Sequence, residues 1–108
     1  MEIETFRARL YEAVIAYSVD MGTPVLYDAE EYPYWYVDVN QDSVADLDTD
    51  GKVISYKAWT PRLIKAAYNL QYSIKDPGVF AHNPMYIMQV MFDSIKDIGG
   101  NTAGLTRP

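Results

Sequence analysis

The sequence predicts an α+β fold in which three helices accompany one β-hairpin carrying a long acidic loop. Three observations point there. Apolar residues recur at helical spacing in three separate runs, and two of those runs open on a capping residue followed by proline. An aromatic, β-branched tetrapeptide at residues 34–37 also faces a second such stretch across fourteen residues rich in Asp and Asn.

The first helix is predicted over residues 5–21. Phe6, Leu10, Ala13, Val14, Tyr17 and Met21 share one face, and Gly22 followed by Pro24 ends the run. Residues 27–33 read as an ordered polar and aromatic loop. Tyr34-Trp35-Tyr36-Val37 is the first strand, and residues 52–59 supply the second. Thr60-Pro61 opens a helix whose inner face is Leu63, Ile64, Ala67, Leu70 and Ile74. Asn83-Pro84 opens another, with Ile87, Met88, Met91, Phe92, Ile95 and Ile98 inward and Gly99-Gly100 as its stop. Residues 1–100 are expected to form a single α+β domain, and residues 101–108 a flexible tail.

Charge is divided along the chain. Residues 1–50 hold twelve Asp and Glu against Arg7 and Arg9, whereas residues 51–108 hold three against seven Lys and Arg; the net formal charge is −6. An acidic half repels nucleic acid and anionic lipid, so neither is expected as a partner. Contacts between copies or pairing within one molecule would both explain the asymmetry. No Cys is present, which excludes disulfides, thiolate zinc sites, a Cys nucleophile and CxxCH haem attachment. No run reaches the roughly 18 apolar residues that span a bilayer. Met1-Glu2-Ile3-Glu4 lacks a signal-peptide pattern, which leaves a cytosolic chain and an exported mature piece both open.

The acidic loop is the candidate metal site. Calcium takes six to eight oxygens, and a short loop with acids at alternate positions provides them. Asp38, Asn40 and Asp42 stand at positions one, three and five, Val44 offers a backbone carbonyl at seven, and Asp46 stands at nine. A second window shares Asp46 and continues through Asp48, Asp50 and Gly51 to the Lys52 carbonyl. The pattern departs from a helix-loop-helix sensor. Position twelve, ordinarily a bidentate Glu, is Thr49 in one window and Lys57 in the other, and position six of the first is Ser43 where Gly is usual. Glu30 and Glu31, water or another copy could complete the shell. Against this stands a plain solvated loop, since turns attract Asp, Asn and Ser. Side-chain oxygens at strict two- and four-residue intervals exceed what a turn needs, and unneutralised carboxylates in one loop repel.

The remaining chemistry-bearing residues suit structure better than catalysis. His82 has no partner at motif spacing, although Ser73 and Ser94 are available hydroxyls. Met85, Met88 and Met91 lie near one helical face and read as core. Glu30-Glu31 and Glu2 with Glu4 form no recognisable acid–base pair, and no phosphate-binding Gly loop exists. Trp35 and Trp59 flank the acidic loop and are expected to pack under it, with a sugar-stacking platform as the second reading.

Three runs carry a resemblance: Thr60-Pro61-Arg62-Leu63-Ile64-Lys65-Ala66-Ala67-Tyr68-Asn69, Lys75-Asp76-Pro77-Gly78-Val79-Phe80-Ala81-His82-Asn83-Pro84, and Asp93-Ser94-Ile95-Lys96-Asp97. With Tyr32-Pro33-Tyr34-Trp35 and the Asp-rich loop upstream, residues 32–100 resemble a haem-free module of polyhaem, membrane-associated c-type cytochromes and related exported proteins. The resemblance implies an extracytoplasmic setting, secreted or periplasmic, near electron-transfer proteins, with a metal-binding loop and His82 in the Ala-His-Asn motif. The resulting expectation is a non-enzymatic, Ca2+-binding structural or assembly protein that self-associates into an oligomer or extracellular filament. Its alternatives are an accessory domain docking on a c-type cytochrome and a calcium-dependent carbohydrate-binding module.

Overall fold

Apolar spacing sets the helices. A computed structural model describes residues 2–75 and 84–108. Helix α1 (Glu2–Asp20) buries Phe6, Leu10, Ala13 and Val14 along one stripe. It begins before Thr5, with Glu4 in a first turn where negative charge complements the helix dipole. It ends before Met21, which is exposed and takes no part in the inner face. The Gly22 amide donates to the Val19 carbonyl and the Thr23 amide to that of Ser18. This closure needs the left-handed backbone that Gly22 adopts at φ +102°.

Helix α2 (Pro61–Lys75) starts as the sequence indicates, with the Leu63 amide donating to Thr60 Oγ1 at 3.2 Å. Its buried line is Leu63, Ala66, Ala67, Leu70 and Ser73. Ile64, expected inside, lies about 100° round the helix from Leu63 and is exposed. Helix α3 (Pro84–Asp97) buries Ile87, Met88, Met91, Ser94 and Ile95. Met85, expected among the core methionines, is exposed, and Phe92 is half-buried with its ring 6.5 Å from that of Phe6. The three helices pack mutually and form the core.

Two strands lie against this bundle. β1 (Val25–Tyr27) pairs antiparallel with β2 (Trp35–Val37), Val25 opposite Val37 and Tyr27 opposite Trp35. Ser18 ties β1 to α1, donating to the Ile15 carbonyl and accepting the Val25 amide at 3.0 Å. The α+β class with three helices and one hairpin is therefore as expected, but β2 has a different main partner. Residues 52–59, expected as its partner strand, make isolated bridges only: Tyr36 with Ser55, and Leu47 with Val53. The backbone of Asp46 explains this. Its amide donates to the Val37 carbonyl and its carbonyl accepts the Ile54 amide, so the loop wedges between the two segments where a ladder would continue.

Residues 101–108 contain neither helix nor strand and run beside α1 and α3. Arg9 donates to the carbonyls of Asn101 and Ala103, Arg107 forks onto Asp93, Gln89 donates to the Pro108 carbonyl, and Leu105 packs on the core. No helix among the described residues is long and apolar enough to cross a membrane.

Candidate metal centre

The acidic loop leaves β2 at Asp38, and its own amides organise it. Asp38 is buried at 4% exposure, its amide held by the Pro24 carbonyl at 3.1 Å. Its carboxylate accepts the amide of Asp42 at Oδ1 and that of Ser43 at Oδ2, 3.2 and 3.0 Å away. The Asp42 carboxylate accepts the Val44 amide at 3.0 Å, and Asp46 reaches back to accept the Val39 amide at 2.9 Å. The chain thus curls around its side-chain oxygens. Two residues pass through left-handed backbone to allow it, Gln41 at φ +54° and Ser43 at φ +66°. Ser43 takes, at position six, the conformation that Gly supplies more cheaply.

This curl brings together three of the seven predicted site residues. One carboxylate oxygen from each of Asp38, Asp42 and Asp46 lies within 4.8 Å of the others. Oxygens bound to one calcium ion at about 2.3–2.6 Å can stand no farther than about 5 Å apart, and the spacing of the three lies inside that limit. Asn40 borders the cluster through its amide nitrogen, 3.2 Å from Asp42 Oδ2. Burial, then the neighbouring Asp42 carboxyl, pushes the Asp38 pKa up, while the Val44 amide first of all pulls that of Asp42 down. A cation beside the cluster would act against the rise at Asp38.

The second window does not converge with the first. Asp48 Oδ1 accepts the amides of Asp50 and Lys52, its own amide donates to the Lys52 carbonyl, and Gly51 turns the chain at φ +77°. Asp48 and Asp50 therefore shape a tight turn, and neither joins the three-carboxylate cluster. Glu30 and Glu31 also lie outside it, at the exposed tip of the hairpin. The amides of Val39, Ser43 and Val44, which line the curl, carry no side-chain signature in the sequence.

Trp35 is buried and meets Trp59 edge to face, at 83° and 5.8 Å. The pair offers no shared flat face to a sugar ring. Ser73 Oγ donates to the Leu70 carbonyl and accepts from Arg7, while Ser94 accepts from Asn69, so both hydroxyls serve packing. His82 and most of the Lys75-to-Pro84 run lie outside the described residues.

The chain is 32% identical over 78 aligned residues to C-type polyheme cytochrome OmcB of Geobacter sulfurreducens, covering 62% of this chain. It is 33% identical over 78 residues to C-type polyheme cytochrome OmcC of the same organism, again with 62% of the chain covered. The chain resembles a module of polyhaem c-type cytochromes. It spans about 10% of the length of these curated relatives. Without Cys it lacks the residues that attach haem in a c-type cytochrome. No protein-family model and no solved structure matches it.

Proposed function

We propose that this chain is a non-enzymatic, calcium-stabilised module serving an extracytoplasmic multihaem electron-transfer system. The convergence of Asp38, Asp42 and Asp46 carries the metal part of this reading. Three carboxylates at loop positions one, five and nine, curled by their own backbone, form a donor set of hard oxygens suited to calcium rather than to a soft metal. Asn40, the Val44 carbonyl and water would complete the six to eight oxygens the ion takes. The similarity to OmcB and OmcC supports the setting. In a millimolar-calcium exterior, even a weak site of the extracellular class is filled.

Calorimetric titration of the metal-free protein tests the metal assignment. Calcium should bind with a dissociation constant of roughly millimolar or tighter. Magnesium, which holds its waters more firmly, should bind more weakly, and Asp42→Ala should remove the calcium signal. Equally weak calcium heats from the wild type and from Asp42→Ala would return the loop to a plain acidic turn.

A further inference from the structure

The fold leaves the divided charge of the chain divided. Helix α2 carries Arg62, Lys65 and Lys75 and no acid. Its outer face presents Ile64, Tyr68 and Tyr72 at 49%, 65% and 38% exposure, the two phenol rings stacked parallel with centroids 6.2 Å apart. The loop beyond β2 shows the opposite surface. Val44, Leu47 and Val53 are each more than half exposed there, beside the exposed acids Asp48 and Asp50. Among the described residues the one ion pair joins Arg107 to Asp93, so no loop acid is neutralised by an α2 cation of the same molecule. Lys75 lies over the Tyr34 ring at 3.3 Å, which leaves Arg62 and Lys65 as the other cations of the helix, Lys65 beside the cleft that Asp93 and Asp97 of α3 also line.

We propose that the acidic, apolar loop face of one copy docks on the basic, aromatic outer face of α2 in a second copy. The two surfaces are opposite in charge, each exposes an apolar centre, and both stand on one chain. Exposed ion pairs are worth little singly, so they would steer and orient the contact while Tyr68, Tyr72, Leu47 and Val53 supply its buried area. The two patches share no residue. Such a contact is heterologous and leaves one patch of each kind free on every pair, so it propagates into a ring or filament. Because Asp48 and Asp50 lie outside the carboxylate cluster, the contact does not rest on the calcium reading.

Sedimentation velocity over a dilution series tests it with three proteins. The wild type should associate in a concentration-dependent way, more weakly as salt screens the charges. Lys65→Glu and Asp50→Lys should each raise the apparent dissociation constant by about tenfold or more, because each sets like charges against each other at the contact. Each variant keeps one intact patch, so an equimolar mixture should yield a dimer that neither forms alone. A wild type that stays monomeric throughout overturns the proposal, as does association unchanged in both variants or a mixture without the dimer.

Discussion

Ser43 donates its amide to Oδ2 of Asp38 at 3.0 Å, across five residues of a loop whose first acid is buried and whose others are not. That bond, with the Asp42 amide on Oδ1, closes the curl on which the three carboxylates converge. Asp38→Ala should therefore disorganise the loop even without a metal. Two amides lose their acceptor, and a loss of about 1–3 kcal/mol is expected in denaturant unfolding. A stability equal to wild type would mean that the curl is held elsewhere.

Trp35 joins the hairpin to the bundle. Its indole N–H donates to Gln71 Oε1 at 3.1 Å, and its ring packs on Tyr27 at 4.4 Å and on Trp59. Trp35→Phe keeps most of the apolar contact and loses the hydrogen bond, for an expected cost of about 1 kcal/mol. Trp35→Ala should cost about 3–5 kcal/mol through the cavity it leaves. Chemical denaturation separates the two, and equal losses would contradict a packing role.

Gly100 illustrates how much of this fold could be read in advance. A glycine pair closing α3 was legible, and Gly99 indeed turns left-handed at φ +76° while the Gly100 amide donates to the Ile95 carbonyl. The tight approach of α1 was not, because it depends on where another helix lies. A Cβ on Gly100 would stand 2.4 Å from that of Ala13 and 2.8 Å from Ile95 Cγ2. Gly100→Ala should thus destabilise by about 1–3 kcal/mol through overpacking, whereas ordinary helix-end preferences would predict little change.

The same distinction runs through the rest of the chain. Helical runs and the Thr60 cap are local, and periodicity reports them. The β1 strand leaves no signal because three residues give too little alternation to register, and the ladder expected of residues 52–59 is interrupted by Asp46. Within the loop, spacing alone found Asp38, Asp42 and Asp46. It could not tell them from Asp48, whose carboxylate shapes the turn through Asp50 and Lys52 and lies outside the cluster.

Arg107 and Asp93 report whether residues 101–108 stay against α3. The Arg107 guanidinium, bonded at 2.9 and 3.1 Å, holds the Asp93 pKa below the ordinary 3.8. A depressed folded pKa contributes stability that is fully present above the unfolded value and lost as pH falls through the folded one. The carboxyl resonance of Asp93 should consequently titrate below 3.8, and Arg107→Gln should move its midpoint upward. An unchanged midpoint would show that the segment leaves α3 in solution.

Thermal unfolding with calcium, and then with a chelator, addresses the carboxylate cluster most directly. An ion that binds only the native chain stabilises it by about 3 kcal/mol at a hundredfold excess over its dissociation constant. For a domain of this size that corresponds to a rise in Tm of roughly 10 °C. The expected result is a melt raised by calcium, lowered by chelation, and insensitive to both in Asp42→Ala. Superimposable melting curves with and without calcium would contradict the metal-centre reading of Asp38, Asp42 and Asp46.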